Sequence, residues 1–386
     1  MRVVIVAEYY PRASDPTLGV WAHRQALAAR DAGAEIRVLV LHRPLPSLAD
    51  VRALRAPALR DAVRQPTAQV IDRLPVEYVR YVSPPRPWSY ASWGAWAAPA
   101  LGRALRRLRA SFPFDLVHAH YAVPAGDAVR RAAPRAPLLV SVHGGDVHGR
   151  HAGAPTVRRA LAHARLVLAN SAGTARRSAE SGAQQTRVVH LGTDLPAAPA
   201  TPPATPTLVT VGNLIARKRH ADVIEAVALL RDRRPQLRYT IVGDGPERDA
   251  LRELAAARGV GDRVLLRGRL PHPEAVAEAR RASLFVLPSV AEAFGVSYVE
   301  AMAAGVAAIG TRGEDGPEEI AAAGGGIELV PPRDPRALAE AIDALLSDGD
   351  RMAGLRRAAR DTVAREFTWE RCGQATVTAY REVLDG

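Results

Sequence analysis

The tract PAAPATPPATP, residues 196–206, constrains the fold more than any other stretch of the 386-residue chain. Proline has no amide N–H and a fixed φ, so such a run neither extends a helix nor enters a sheet interior. It reads as a semi-rigid linker, and the same pattern lies on both sides of it. Before it, RVVIVAEYY, EIRVLVL, VEYVRYV, DLVHAH, PLLVSVH, ARLVLAN and TRVVHLG read as strands. After it come TLVTVGN, RYTIVGDG, RVLLRGR, LFVLPS, VAAIGT and GIELVP. Helical patterns separate most of these, VWAHRQALAARDAG closing on Gly33 as a helix end does. Apolar strands alternating with helices predict an α/β chain with two parallel sheets, each covered on both faces. The organisation expected is a Rossmann-like domain over 1–195, the linker over 196–206 and a second such domain over 207–368. A last helix over 369–386 is expected to pack back on the first domain. Ligands bind beyond the carboxyl ends of such strands, so two facing halves predict a cleft walled by strand-end loops.

Charge narrows the partners. The chain carries 52 basic against 40 acidic residues, a formal +12, and every basic residue except Lys218 is arginine. The arginines are spread along helices such as ALGRALRRLRA, with no zinc-finger spacing and no aromatic-studded RNA-binding strand, which argues against nucleic acid. That helix carries Leu101, Leu105 and Leu108 on one side, and its cationic face is either solvated or a contact for an anionic membrane or acceptor. The single Cys372 excludes an internal disulfide and a cysteine-built zinc site. VVIVA is only a strand's length and nowhere do about 20 uncharged apolar residues run together. A cytoplasmic protein, working there or at the inner face of the membrane, is expected. Arg43 to Pro75 fits no strand pattern and is expected to be a helical excursion or mobile loop. Trp88, Trp93 and Trp96 read as packing residues or as the lining of an acceptor site.

The most informative stretch is LFVLPSVAEAFGVSYVEAMAAG, Leu284 to Gly305. A buried strand ends at Pro288, a loop follows, and a helix starts near Gly295. Glu292 falls in the loop and Glu300 in the helix. Eight helical residues span about 12 Å with a net turn of about 80°, so the two carboxylates share a side without reaching one atom. That spacing excludes a close acid/base dyad and suits an elongated ligand gripped at two points. Carboxylates accept from hydroxyls, and the amides of Ala293, Phe294, Gly295 and Val296 open a helix whose N-terminus favours an anion. Hydroxyls, then diphosphate, then hydroxyls describe a nucleotide sugar.

Pro288-Ser289, then Glu-x-Phe-Gly, then the second Glu with Ala-Met-Ala-x-Gly resembles the donor-site signature of glycosyltransferase family 4, the retaining enzymes of the GT-B fold. VGNLIARK, IVGDGP, FVLPSVAEAFG and FTWERCGQATVTAYREVL follow in the family's order, and VSVHGGD fits its amino-terminal half. The resemblance implies two Rossmann-like domains facing across a cleft, with the nucleotide sugar held by the second and the acceptor by the first.

Carried onto this chain residue by residue, the resemblance assigns Lys218 and Arg217, in the loop after TLVTVGN, to the donor diphosphate, with Arg219 in reserve. Fixed cations there stabilise charge that builds as the glycosidic bond breaks, and a compact ammonium follows oxygens on different phosphates more freely than a planar fork. Asn213 stands where relatives often have arginine, so it supplies no charge. Gly212 and Gly243 border the nucleotide, while Arg269 and Leu270 offer backbone to the base. His143, at a strand end before two glycines, is assigned to the transferred sugar and leaving phosphate. His120, Asp146, Gly19 and Arg24 are the candidates for the acceptor or its loops. The catalytic set is thus His143, Lys218, Arg217 and Glu292.

No cofactor and no metal are expected, the co-substrate being a UDP- or GDP-sugar. Asp348-Gly-Asp350 spells a metal motif but lies between helical patterns, where it reads as a helix stop and N-cap. His118 and His120 share a strand face and lack a third ligand. The expected activity is retaining, metal-independent transfer of a hexose to a saccharide or lipid-linked acceptor. The alternatives are a GT-B epimerase or phosphorylase and a silent nucleotide-sugar binder.

Overall fold

The computed structural model describes residues 1–45, 64–85, 89–148 and 152–385. The chain forms two compact units, one of Met1–Leu191 with Trp369–Gly386 and one of Gly192–Thr368.

The first unit is built on strands β1 (Arg2–Ala7), β2 (Glu35–His42), β3 (Ala68–Ile71), β4 (Leu74–Arg80), β5 (Leu116–His120), β6 (Leu138–Val142), β7 (Leu166–Ala169) and β8 (Thr186–Val188). They lie in the order β3-β4-β2-β1-β5-β6-β7-β8. β5, β6 and β7 are buried at every residue, as a sheet covered on both faces requires. β1 pairs in parallel with β2 on one side and β5 on the other. The winding reverses there, which opens a crevice at the carboxyl ends of β1 and β5.

β3 corrects the reading of Arg43 to Pro75 as free of strands. It runs antiparallel to β4 through a turn at Asp72 and Arg73, both at positive φ. Its two exposed positions, Ala68 and Val70, break the apolar run that marks a buried strand, and the turn lacks the Asn-Gly or Asp-Gly pair that flags a hairpin. Residues 46–63 of that region, and Trp88, lie outside the described residues. Trp93 is a core anchor, 4% exposed, its indole N–H donating to Pro84 O at 3.1 Å, whereas Trp96 is exposed.

The helix Trp93–Ser111 buries Leu101 and Leu105 and turns Arg103, Arg106 and Arg107 outward. Arg107 is paired with Glu77, and Arg109 lies over the Phe114 ring at 4.0 Å. No helix among the described residues is long and apolar enough to cross a membrane.

After the second unit the chain returns as the helix Trp369–Asp385, which packs along Val20–Asp31. A Cβ at Gly373 would stand 2.2 Å from Ala28 O, so the two helices touch backbone to backbone. Gln25 Nε2 donates to Thr376 Oγ1 at 3.0 Å across the contact, and Cys372 and Tyr380 are buried in it.

The second unit carries β9 (Thr207–Val211), β10 (Arg238–Val242), β11 (Val264–Gly268), β12 (Leu284–Val286), β13 (Ala307–Thr311) and β14 (Ile327–Val330), in the order β11-β10-β9-β12-β13-β14 and parallel throughout. Its first strand is flanked by its second and fourth, the doubly wound order, with the switch point between β9 and β12. The proline tract lies on this unit rather than between the two. Pro196 O and Ala200 O accept from Arg360 and Arg356 of the helix Gly349–Glu366, at 2.7 and 2.8 Å. The boundary therefore falls ahead of the tract, at Leu191.

Candidate active site

In the second unit the chemistry gathers at the switch point. Beyond β9 the chain runs through Gly212 and Asn213 into a short 3-10 turn, Ala216–Lys218, and then the helix His220–Leu229. Beyond β12 it runs through Ser289 to Glu292 and enters the helix Val296–Met302, with Gly295 at its N-cap. Adjacent strands bring these two loops together. Val290 N–H donates to Arg217 O at 2.8 Å, and Lys218 Nζ reaches Glu292 Oε2 at 2.5 Å. Arg217 stands 3.8 Å from the same oxygen and donates to Ala291 O at 3.4 Å, while Ser289 Oγ donates to Glu292 Oε2 at 2.8 Å. Burial pushes the Glu292 carboxyl upward. Lys218 foremost, then Arg217 and Ser289, outweigh that and hold it below its ordinary value.

Arg219 is spent elsewhere. Its guanidinium grips Asp222 in the first helical turn at 2.6 and 2.9 Å, so Arg217, 45% exposed, is the cation beside Lys218. Asn213 contributes its carbonyl, which accepts from His220 Nε2 at 3.2 Å, and its side chain is exposed. Burial lowers His220 to about 4, so it stays neutral as the loop's prop. The loops after β9, β10 and β11 are stitched together by Gly212 N–H to Val242 O and Gly243 N–H to Gly268 O, both 2.9 Å. Gly243 stands at φ 142°, and a Cβ there would lie 1.9 Å from Gly212 O.

Glu300 sits in the helix Val296–Met302 and bonds His272 Nε2 at 2.7 Å. Phe294 is buried against Phe367, ring centroids 5.5 Å apart, so its side chain serves the core. Ala293 is buried, and Gly295 and Val296 are half-buried. Arg269 and Leu270 follow β11 at the sheet edge, two strands from β9.

In the first unit the strand ends after β1, β5 and β6 carry an aromatic and imidazole cluster. His120 closes β5, and its Nδ1 lies 2.9 Å from Nε2 of His143, just past β6. His118 stacks on His120 at 4.6 Å and is held by Tyr380 OH and Ser141 Oγ at 2.8 and 2.7 Å. Burial drives His118 and His143 down to about 3 and His120 well below its ordinary value, so all three are neutral near pH 7. Tyr121 and Trp21 flank the His143 ring at 5.1 and 6.2 Å. Asp146 braces the loop, accepting from Ala122 N–H at 2.9 Å and His143 N–H at 3.5 Å, and its own burial raises it to about 7. Gly19 has φ 65°, and a Cβ there would stand 2.2 Å from the Tyr9 backbone. That clash is reason enough for glycine. Arg24 turns toward the terminal helix, its guanidinium 5.4 Å over the Trp369 ring.

Sequence reasoning missed His220, His272 and Glu314, which accepts from Glu292 N–H at 2.8 Å. It also missed the His120–His143 bond. Apart from His220, which props Asn213 within its own loop, each acts between elements that are not adjacent in sequence, and only the two strand-end histidines carried a signal of position. Asp348 is the N-cap of Gly349–Glu366, accepting from Arg351 N–H at 2.9 Å. Among the described residues no group of three His, Cys, Asp or Glu is placed to hold a metal ion.

Comparison with known proteins bears on the family and the fold. Residues 193–362 match the family model described as glycosyl transferases group 1, and residues 18–196 match that of glycosyltransferase family 4. The chain is 27% identical over 407 residues to a glycogen synthase of Mycobacterium tuberculosis, covering 98% of this chain and 94% of that one. Sucrose-phosphate synthase from Thermosynechococcus elongatus superposes over 100% of both chains with a TM-score of 0.77 at 20% identity. Anabaena HepE, solved with UDP and glucose, does so over 99% of this chain and 100% of its own with a TM-score of 0.72 at 19% identity. Two doubly wound units of this kind are the GT-B fold, and the chain belongs to glycosyltransferase family 4, the glycosyl transferases group 1.

Proposed function

We propose that this glycosyltransferase moves a hexose from a UDP- or GDP-sugar to a saccharide or lipid-linked acceptor, with retention at the anomeric carbon and without a metal ion, in surface polysaccharide or glycolipid biosynthesis. The observation that carries the reading is the Lys218–Glu292 pair with Arg217 beside it, at the switch point of the second unit. A diphosphate lying there takes Lys218 and Arg217 as its counter-charges, and Glu292, released from the ammonium, accepts from sugar hydroxyls. Negative charge grows on the diphosphate as the bond to the sugar breaks, so the two cations lower the barrier more than they tighten ground-state binding. The family's retaining chemistry supports a front-face departure in which the leaving phosphate takes the acceptor's proton. His143 is assigned to the transferred sugar and its phosphate, and the remaining strand-end residues of the first unit to the acceptor. HepE, a structural neighbour, binds UDP and glucose, which favours a uridine donor among the candidates. The exposed arginines of Trp93–Ser111 suit a lipid-linked acceptor at an anionic membrane face.

The test is a thermal-shift screen against UDP-, GDP-, ADP- and TDP-sugars, followed by transfer to a panel of saccharide and polyprenyl-phosphate acceptors. Stabilisation by one uridine or guanosine donor and a retained anomeric configuration in the product are expected. Binding without transfer or donor hydrolysis across the panel would leave a silent binder, and release of a free epimer would make the chain an epimerase.

A further inference from the structure

His143 has two ring nitrogens and only one is accounted for. Nε2 lies 2.9 Å from His120 Nδ1, whereas His143 Nδ1 and His120 Nε2 are enclosed and have no partner among the described residues. The two rings are parallel within 5° with centroids 5.2 Å apart. Parallel imidazoles whose facing nitrogens are 2.9 Å apart reach that separation only edge to edge, the in-plane arrangement that an N–H···N bond needs. Both rings are neutral, so one nitrogen of the facing pair carries the proton and the other accepts.

The proton has two possible homes, and they differ in what is left over. If His143 Nε2–H donates, the pair's second N–H is on His120 Nε2. His120 is 0% exposed, and His118, stacked on it, spends both nitrogens on Tyr380 and Ser141. That N–H would be sealed in the sheet with no acceptor, a rare and costly condition. If His120 Nδ1–H donates instead, the second N–H is on His143 Nδ1. That ring lies in the half-buried loop past β6, between Trp21 and Tyr121, at the crevice where the winding reverses. Nδ1 is enclosed there as well, but by a strand-end loop and its flanking rings rather than by the sheet, so a ligand oxygen that displaces them can accept from it, and a phosphoryl oxygen, which only accepts, can satisfy no other arrangement.

We propose that His120 is the positioning residue of His143: by donating from Nδ1 to His143 Nε2 it fixes the tautomer in which His143 meets a phosphoryl or sugar oxygen as a neutral Nδ1–H donor. His143 is then a hydrogen-bond donor to the leaving group and not a general base. The inference rests on the reading that His143 touches the donor, and adds to it the atom, the tautomer and the residue that sets them.

The test uses the full chain labelled with 15N-histidine and saturated with UDP-glucose, or with GDP-mannose if that is the donor that stabilises it. Two-bond proton–nitrogen spectra report which His143 nitrogen carries the proton, the His143→Ala variant identifying its signals among the 11 histidines. His143 is expected protonated at Nδ1 and bare at Nε2. His120→Asn, whose amide can donate from nearly the same place, should keep that pattern and recover at least about threefold of the turnover lost in His120→Leu. His120→Leu removes the donor. An Nε2–H signal should then appear on His143, with kcat at least about tenfold lower and donor KM within about threefold, a split that a merely structural role would not produce. An Nε2–H signal on His143 in the unaltered chain overturns the inference, as does a His120→Leu variant with unchanged tautomer and turnover. Should His120→Leu fail to fold, the unaltered chain and His120→Asn decide. Undiminished turnover in His143→Ala would overturn the donor contact, while the spectra would still stand or fall by themselves.

Discussion

Lys218 Nζ and Glu292 Oε2, 74 residues apart in the chain, meet at 2.5 Å with their side chains only 12% and 7% exposed. The contact joins the loop after β9 to the loop after β12, and each partner keeps the other from being a buried lone charge. It also means that the ammonium proposed to hold a diphosphate is already desolvated and aimed before any ligand arrives. Removing one member of such a pair leaves the other uncompensated.

Lys218→Ala is therefore expected to act twice. It should lower turnover at least about tenfold, about 1.4 kcal/mol of transition-state interaction. It should also destabilise the second unit by about 3 kcal/mol, the cost of stranding a buried carboxylate. Lys218→Ala combined with Glu292→Gln should recover most of the stability and none of the turnover, because the stranded charge is gone while the diphosphate still lacks its cation. Urea titrations beside transfer rates separate the two effects. Equal stability in the single and double variants would show that the pair contributes nothing to the fold.

Glu300 and His272 are held together at 2.7 Å with Glu300 14% and His272 38% exposed. Glu300→Ala should reduce turnover at least about tenfold, as loss of a donor hydroxyl contact requires. His272→Ala leaves the carboxylate in place but free to choose rotamers, so an effect of about threefold on donor KM is expected, with kcat unchanged. Initial rates over a range of donor concentrations distinguish these outcomes. A His272→Ala effect as large as that of Glu300→Ala would make His272 a ligand contact itself.

The two halves were legible because each buried strand is a short, mostly apolar run, and a run such as PLLVSV admits few other readings. Glu292 and Glu300 were legible because their spacing within one loop and helix is local geometry. What could not be read was anything decided across strands. Nothing in the neighbourhood of Ser289 signals that Glu314 will cap the Glu292 amide, and the His118–His120–His143 file needs β5 and β6 in register before it exists. The surroundings of Arg24 were not legible for a related reason: its helix was evident, but the contact of its guanidinium with Trp369 depends on a segment more than 340 residues away. β3 escaped because a half-exposed edge strand of four residues carries little apolar signal.

The imidazole file also sets how the protein responds to acid. In the unfolded chain its histidines titrate near about 6.5, whereas in the fold burial holds His118 and His143 at about 3 and His120 well below normal. Between those values the unfolded chain binds more protons, so the stability these groups confer is present above about pH 6.5 and is lost as the pH falls, by about 1.4 kcal/mol per pH unit for each. Asp146 works the other way. Raised by burial to about 7, it keeps its proton in the fold where an unfolded aspartate, near about 3.9, has lost it, so its contribution fades as the pH rises through that window. Near pH 5, three histidines against one carboxylate leave about two extra protons bound on unfolding, and His220, lowered to about 4, adds about one more, a fall of about 4 kcal/mol per pH unit from these groups together. Asp146→Asn removes the opposing group and should steepen the fall by about 1.4 kcal/mol per pH unit. Urea titrations between pH 7 and pH 5 measure both slopes, and an unchanged slope in Asp146→Asn would show that the carboxyl is not protonated in the fold.

Gly243 gives a test of the donor loop that involves no charge. Its φ of 142° lies in a region that side chains rarely adopt, and an added Cβ would stand 1.9 Å from the carbonyl oxygen of Gly212 and 2.9 Å from its carbon. Both atoms belong to backbone that Gly212 N–H ties to Val242 O, so the loop after β9 has no cheap way to retreat. Gly243→Ala must therefore push that loop, and with it the turn Ala216–Lys218, away from β10. The expected result is a stability loss of about 1–3 kcal/mol from backbone strain and a donor KM raised at least about tenfold, with Lys218 and Glu292 both still in the sequence. Gly313→Ala, where φ is 80° but an added Cβ would meet nothing within 4 Å, is the matched control. It carries the strain of positive φ without the clash, at a position that no donor contact is assigned to, so its KM should be unchanged. If both variants weaken donor binding alike, the effect belongs to loop strain in general. If only Gly243→Ala does, the close approach of the β9 and β10 loops is what holds Lys218 in place.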